Sequence, residues 1–416
     1  MIFRAPDIRE KESEILVKID EIRTKLNYSL KTPRRWTGVL RRNLTARAVQ
    51  GSNSIEGYNV TFDDAVAAIE GEEPMDAAPE PWAAVVGYRN ALTYVMQLSG
   101  DIHFNLNEEL IRGLHNLMLL HDPIKNPGRW RPGLIYVRRE PSGGIVYEGP
   151  DAEDVPKLMH EFIEDNRKTQ DTSMHAIVRA AMAHLNLVMI HPFSDGNGRM
   201  GRAVQTLVMA RADILSPPFC SIEEWLGTRG NTQAYYDVLG QVGAGAWHPE
   251  RDARPWTRFC LNAHLQQALT VARRVKETEK LWSELEIELT RRKLDERMIS
   301  VLYDAAIGIR IRSARYRTVA EISNQVATRD LRTLVSEGLL EPKGERRGRS
   351  YVASPVLKEL WKKTRELRVP FRDPFDVEIA PVAKASPVAQ PAVAVAAPTQ
   401  MYPPMPSHHA DQPDKL

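Results

Sequence analysis

Residues 191–202 read His-Pro-Phe-Ser-Asp-Gly-Asn-Gly-Arg-Met-Gly-Arg, and these positions hold most of the chemistry legible in the chain. One imidazole, one carboxylate, an amide between two glycines and two guanidinium groups suit a nucleoside triphosphate with its metal. Gly196 and Gly198 let backbone N–H groups approach phosphate oxygens, because neither carries a Cβ. Arg199 and Arg202 stand three apart, on one face of a helix, so both can reach the same anion. Asp195 supplies the kind of carboxylate that magnesium takes beside phosphate oxygens and water. His191 is the group able to move a proton near neutral pH. Each fragment alone is ordinary: Gly-Asn-Gly is a common turn, and His-Pro commonly ends a helix. Their order and spacing together point to a site.

Such a site needs a loop-to-helix junction. The apolar run Ala180–Ile190 precedes the motif and the helical pattern Ala203–Ala210 follows it. Unpaired N–H groups and a partial positive charge at a helix N-terminus favour phosphate. Upstream, Ile8, Ile15, Ile19, Ile22 and Leu26 mark an amphipathic helix over 8–30. A second helix is expected over about 41–55, stopped by Gly57-Tyr58-Asn59. Thr61 with Asp64 reads as the cap of a helix over Phe62–Ile69, followed by a Pro- and Ala-rich linker over 70–81. Helices are expected at about 82–98, 107–120, 153–166 and 174–190. Leu134–Val137 and Ile145–Tyr147 are β-prone runs around Ser142-Gly143-Gly144, which predicts a hairpin.

The string His-Pro-Phe-x-Asp-Gly-Asn-Gly-Arg-x-x-Arg at 191–202 resembles the active-site motif of the Fic family, with no position missing. The similarity extends over about residues 40–265. It implies a mainly α protein, with an all-helical core and a short β-hairpin flap, that transfers AMP from ATP to a Ser, Thr or Tyr hydroxyl of a target protein. Some members transfer other phosphate-containing groups or reverse the reaction. Carried over, the resemblance makes His191 the base, Asp195 the magnesium ligand and Gly196-Asn197-Gly198 the anion hole. Arg199 and Arg202 would bind the terminal phosphates. The hairpin becomes a flap whose Ile135, Tyr136, Val137, Ile145 and Val146 pair with an extended target segment. Tyr235 and Tyr236 stand where family tyrosines contact adenine, and they equally suit a core. Gly243-Ala244-Gly245-Ala246 carries no amide side chain where some relatives place one, so the base preference is open.

Ser52-Asn53-Ser54-Ile55-Glu56-Gly57 fits the family's inhibitory motif, Ser/Thr-x-x-x-Glu-Gly/Asn. Ser52, Glu56 and Gly57 would end an inhibitory helix at about 41–57, with Glu56 paired to Arg202 so that a phosphate ligand is removed. Glu56 would equally suit the positioning of water for the reverse, AMP-removing reaction.

With 416 residues the chain exceeds one compact core. The expected order is an N-terminal helical region (1–100), a catalytic core (101–265), a helical connector (266–292), a small α/β winged helix-turn-helix (293–355) and a disordered Pro/Ala-rich tail (374–416). A helix over Arg297–Ile309, a short one over Thr318–Ser323, a third over Ala327–Glu337 and a basic hairpin carry the winged-helix expectation. Between 310 and 349 ten Lys or Arg face five Asp or Glu, a local surplus on a chain of net charge +2. Arg329, Arg332, Arg346, Arg347 and Arg349 are candidates for DNA phosphates; the same module equally suits protein contacts or dimerisation. At 43% hydrophobic and 26% charged, with mean hydropathy −0.38, the chain has no run long enough for a transmembrane helix. Two cysteines, Cys220 and Cys260, fit a reducing, cytoplasmic compartment. The reading is an ATP- and Mg2+-dependent protein adenylyltransferase repressed by Glu56, expected as a homodimer away from membranes. Its rival is a DNA-binding regulator whose Fic domain senses nucleotide.

Overall fold

The computed structural model describes residues 1–31, 34–139, 144–170, 173–212, 215–345, 349–368, 371–376 and 392–396. Five helices come first: α1 (Glu10–Lys31), α2 (Arg35–Ile55), α3 (Phe62–Glu70), α4 (Pro79–Leu98) and α5 (Glu108–Leu119). A hairpin of β1 (Ile135–Arg139) and β2 (Gly144–Glu148) interrupts them. Then follow α6 (Val155–Gln170), α7 (Ala176–Ile190), α8 (Asn197–Arg211), α9 (Glu223–Leu226), α10 (Arg229–Gly243) and α11 (Arg254–Arg291). The C-terminal module holds α12 (Ile299–Ala306), α13 (Ser313–Val319), α14 (Asn324–Ser336), β3 (Leu340–Lys343), β4 (Ser350–Ala353) and α15 (Pro355–Thr364). A last strand, β5 (Ala392–Ala396), closes the described chain.

The mainly helical class is as expected. α7 and α8 pack antiparallel at the centre and are buried nearly all round, as helices without a polar face must be. Val49 of α2, Tyr88 and Val95 of α4, Leu114 and Met118 of α5 and Phe162 of α6 enclose the pair. Thr61 caps α3 as the sequence predicts: its Oγ1 accepts from the Asp64 N–H at 3.1 Å and donates to the Asp64 carboxylate at 2.8 Å.

Four sequence expectations move. α8 begins at Asn197 rather than Ala203, so both arginines lie inside its first two turns; the motif's polar residues hid the apolar period. α11 runs unbroken for 38 residues, so no boundary exists near 265 between core and connector. The helix expected over Thr318–Ser323 ends earlier, because Ser323 is the cap of α14 and accepts from the Val326 N–H at 3.3 Å. The tail is not structureless throughout. Phe371 and Phe375 pack against the α1–α11 side of the core, and β5 pairs antiparallel with β1 over Ile135–Arg139. The remainder of the tail, 377–391 and 397–416, lies outside the described residues.

α2 spans two environments. Its first half, with Trp36, Leu40 and Leu44, packs with α11 and the C-terminal module, where Leu302, Leu331 and Leu357 are buried. Its last turn enters the core around α8. Ion pairs fasten the module to this end of the molecule. Arg42 of α2 contacts Glu70 at 2.9 Å and Asp304, which Arg315 also contacts at 3.1 Å. Arg310 pairs with Asp63 and Asp76, and Arg312 with Glu72 at 2.9 Å. Arg315 also reaches Glu70 at 2.9 Å, so three of the ten basic residues counted between 310 and 349 are paired with acids of α3 and the linker after it. Among the described residues, no helix is long and apolar enough to cross a membrane.

Candidate active site

α7 ends at His191, whose φ of 52° puts a non-glycine residue in the left-handed region, where strain concentrates at functional sites. Arg131 holds that corner: its Nε donates to the His191 carbonyl at 2.8 Å and its backbone N–H to that of Pro192 at 2.9 Å. The His191 ring faces Val188, with Nδ1 3.1 Å from the carbonyl oxygen. A carbonyl only accepts, so Nδ1 carries the hydrogen and Nε2 keeps its lone pair. Nε2 is buried and has no hydrogen-bond partner. Burial pushes the imidazole down to about 4, helped by Arg131 and opposed by the Val188 carbonyl. The ring is therefore neutral at pH 7, with its free nitrogen an acceptor.

The loop after His191 is closed by its own side chains. Asn197 accepts from the Phe193 N–H at 2.9 Å and donates to the Phe193 carbonyl at 2.8 Å. Its amide is thereby spent within the loop, and only its backbone N–H is left for a ligand. Phe193 stacks on the His115 ring at 3.6 Å, while His115 Nε2 lies 3.0 Å from the Asp195 carbonyl oxygen. Gly196 then turns the chain into α8 at φ 77°, a conformation costly for other residues, and no side chain caps the helix. The first intrahelical bond runs from Met200 N–H to Gly196 oxygen. The N–H groups of Asn197, Gly198 and Arg199 thus have no partner within the helix.

Two buried guanidinium groups back this N-terminus. Arg199 is fully buried, and none of its three nitrogens has a hydrogen-bond partner. Its nearest carboxylate is Asp195 at 3.6 Å, and the Tyr58 ring lies 5.1 Å beneath it. A buried donor set left unpaired is costly unless a ligand completes it. Arg202 is paired through two of its three nitrogens, only Nη1 lacking a partner. Its Nε donates to Ser52 Oγ at 2.8 Å, and its Nη2 to the Ser52 carbonyl at 2.9 Å and Glu56 Oε1 at 2.7 Å. Burial opposes the Arg202 charge, yet Glu56 more than compensates and holds its pKa above the usual range. A Cβ on residue 198 would fall 2.3 Å from Glu56 Oε1. The Glu56 carboxylate therefore rests directly on the glycine of the helix N-terminus.

The open cavity beside this junction spans about 910 Å³, part of it solvent. It brings together His191, Asp195, Gly196, Asn197 and Gly198 with Glu56, Tyr235 and Tyr236. Both tyrosines reach the cavity wall from a largely buried setting. Tyr235 is buried, with its hydroxyl 3.1 Å from His184 Nε2, and also walls the cavity. Tyr236 donates from its hydroxyl to the Ile55 carbonyl at 3.1 Å, at the end of α2. From the hairpin, Val137 and Val146 line the cavity and Ile145 is exposed. Ile135 is buried under Gly149 and acts as an anchor for the hairpin base rather than as a contact surface. The open edge of β1 is taken by β5, with Tyr136 opposite Val395.

Asp195 shares the cavity wall with Glu56, whose carboxylate is engaged by Arg202. Burial would raise the Asp195 pKa, but Arg199 and Lys125 hold it below the usual range. Among the described residues, no three His, Cys, Asp or Glu groups form a metal cage. One carboxylate beside uncapped helix N–H groups is chemistry that fits magnesium carried in with phosphates. Sequence reasoning missed Arg131, His115, Tyr58 and Lys125. Their spacing from the motif shows no period, so only the fold brings them in.

Far from this cavity, Arg329, Arg332 and Arg349 are exposed, the first two on α14. Arg346 and Arg347 lie outside the described residues.

Residues 105–209, which hold this central helix–loop–helix, match the model of the Fic/DOC family. A relative named protein adenylyltransferase Fic, from the sea anemone Nematostella vectensis, is 28% identical over 255 residues, 61% of this chain and 55% of that protein. The protein of the same name from Drosophila grimshawi is 31% identical over 211 residues, covering 50% of this chain and 39% of its own. The chain thus spans about half or less of these relatives. The crystal structure of a Fic family protein from Desulfovibrio desulfuricans superimposes with a TM-score of 0.53 at 23% identity. That likeness covers 84% of this chain and 98% of the bacterial one, and places the fold.

Proposed function

We propose that the protein is an autoinhibited adenylyltransferase that moves AMP from ATP to a hydroxyl of a target protein. The observation that carries the reading is the unpaired Nε2 of a neutral His191 beside an uncapped helix N-terminus and the buried Arg199, whose guanidinium makes no hydrogen bond. Protein hydroxyls are poor nucleophiles at neutral pH, so a base must accept the proton as attack proceeds. His191 Nε2 takes that proton, the hydroxyl oxygen bonds to the α-phosphorus, and the bond to the β-phosphate oxygen breaks, releasing pyrophosphate. The N–H groups of residues 197–199 and Arg199 stabilise phosphate charge. Asp195 would hold magnesium, which supplies Lewis-acid neutralisation of the phosphate oxygens. Tyr235 and Tyr236 wall the base-binding side of the cavity.

Glu56 sets the resting state. By filling the space over Gly198 and pairing with Arg202, it withholds both from the terminal phosphate. Targets would add along the β1 edge through main-chain hydrogen bonds, which asks for an extended segment and little sequence. Because β5 holds that edge, target docking requires its departure. The buried, unpaired Cys220 and Cys260 support residence in the reducing cytoplasm.

A second reading concerns the C-terminal module, whose helix–helix–helix–hairpin order resembles a winged helix. The exposed face of α14 carries Asn324, Gln325, Thr328, Arg329 and Arg332, a composition suited to phosphates and base edges. This supports DNA as a partner alongside the transfer activity.

The test is incubation of the full chain with cell lysate, magnesium and ATP labelled at either the α- or the γ-phosphate. Retention of α-label alone on protein supports nucleotidyl transfer. Retention of γ-label, or loss of AMP from pre-labelled protein with no gain, contradicts it.

A further inference from the structure

Lys125 lies in the short turn Pro123–Lys125 that follows α5, and its Nζ sits 2.7 Å from Asp195 Oδ2. The Tyr58 hydroxyl is 2.9 Å from the same nitrogen. Tyr58 is two residues beyond Glu56, past the Gly57 turn, so it hangs from the inhibitory segment itself. Its ring also lies under the Arg199 guanidinium. Lys125 and Asp195 are each about a quarter exposed, so their attraction is screened less than that of a surface pair. This ammonium therefore occupies the one carboxylate in the motif. A bound divalent cation and an ammonium cannot share the same carboxylate oxygen without strong repulsion.

We propose that Lys125 is the resting counter-ion of Asp195, held there by Tyr58, so that metal entry and release of the Glu56 segment are linked. The inference rests on the reading of Asp195 as the metal-binding carboxylate. Two contacts then leave together. Displacing Lys125 removes the partner of the Tyr58 hydroxyl. Moving the 56–58 segment removes the nearer of the ammonium's two other contacts, leaving Asp122 at 3.6 Å to draw it away from Asp195. By reciprocity, whatever loosens Tyr58 favours metal, and metal favours loosening of the segment. Burial opposes the Lys125 charge, but Asp195 and Tyr58 outweigh it and hold the ammonium above the ordinary lysine range. Lys125 is a positioning residue here, since it acts through Asp195. Loss of one charge-assisted hydrogen bond from the competing state corresponds to about tenfold in metal affinity.

The experiment titrates Mn2+ into full-length protein with the non-transferable analogue α,β-methylene-ATP, reading free Mn2+ by electron paramagnetic resonance. Wild type, Lys125→Met, Lys125→Arg, Tyr58→Phe and Asp195→Asn are compared. Lys125→Met should bind Mn2+ about tenfold more tightly, Lys125→Arg should stay near wild type, and Tyr58→Phe should fall between. A gain in affinity is a result that general loss of structure does not produce. Unchanged or weaker binding in Lys125→Met, with binding lost in Asp195→Asn, overturns the counter-ion role alone. Binding that survives Asp195→Asn overturns the metal reading beneath it, and with it the inference.

Discussion

Glu56 and Arg202 meet at 2.7 Å although 146 positions separate them in the chain. The contact is the visible end of a longer arrangement. Arg202 also grips Ser52 through side chain and backbone, so three of its hydrogen bonds go to the last turn of α2 and its cap. At its other end α2 is tied through Arg42 to Asp304 of the C-terminal module. A single helix therefore joins the Gly198 helix N-terminus to the module, and Glu56 at its end covers that glycine.

The state of His191 predicts an unusual pH profile. A base must be neutral to act, and burial lowers this imidazole to about 4. Its neutral form thus persists as pH falls through the ordinary histidine range and is lost only near the lowered value. In a derepressed variant, kcat/KM for transfer should stay flat between about pH 7 and 5.5. An acid limb centred near the ordinary histidine value would contradict the buried ring. His191→Ala should abolish transfer while ATP binding, followed by calorimetry, survives.

Asp304 neutralises two arginines, Arg42 and Arg315, in a buried setting. Asp304→Ala leaves both facing Glu70 alone, at a cost of roughly 3 kcal/mol. The melting temperature should fall by several degrees. If α2 couples the module to the site, basal transfer should also rise. A drop in melting temperature with unchanged basal transfer would separate the tie from the brake.

β5 covers the edge of β1 over its whole length, Ile135 to Arg139. Five Ala and Val residues supply backbone pairing but no hydroxyl, so the strand occupies the edge without being a substrate. Deleting residues 377–416 should raise modification of an extended target peptide severalfold, chiefly through KM. A KM unaffected by the deletion would show that the target does not use this edge.

The partner of α14 can be read from salt. If Arg329 and Arg332 contact phosphates, duplex DNA binding should weaken steeply as salt rises, and Arg332→Ala should reduce the slope by about one. Binding by fluorescence anisotropy that ignores salt would point to a protein partner.

Much of the site was legible because its residues are consecutive. From His191 to Arg202 the spacing itself states the geometry, and the Thr61–Asp64 cap was equally local. The pairing of Glu56 with Arg202 came through family resemblance, since nothing local relates the two. Lys125, Tyr58 and Arg131 were not legible, because loops bring them in and loops carry no period, and His115 was hidden as one more buried position on α5. The start of α8 was misplaced for the opposite reason: its first turn is polar where a ligand is expected, and apolar periodicity is silent there. β5 was read as unstructured from its composition, which ignores that an open strand edge can order an Ala/Val segment.

On the proposed reading, Glu56 is the contact that keeps the nucleotide site from transferring AMP at rest. Intact mass of Glu56→Gly protein after incubation with ATP and magnesium, beside wild type and the Glu56→Gly/His191→Ala double variant, tests this at its root. AMP units should add to Glu56→Gly, with little added to wild type and none to the double variant. Equal labelling of wild type and Glu56→Gly, or labelling that persists without His191, would overturn it.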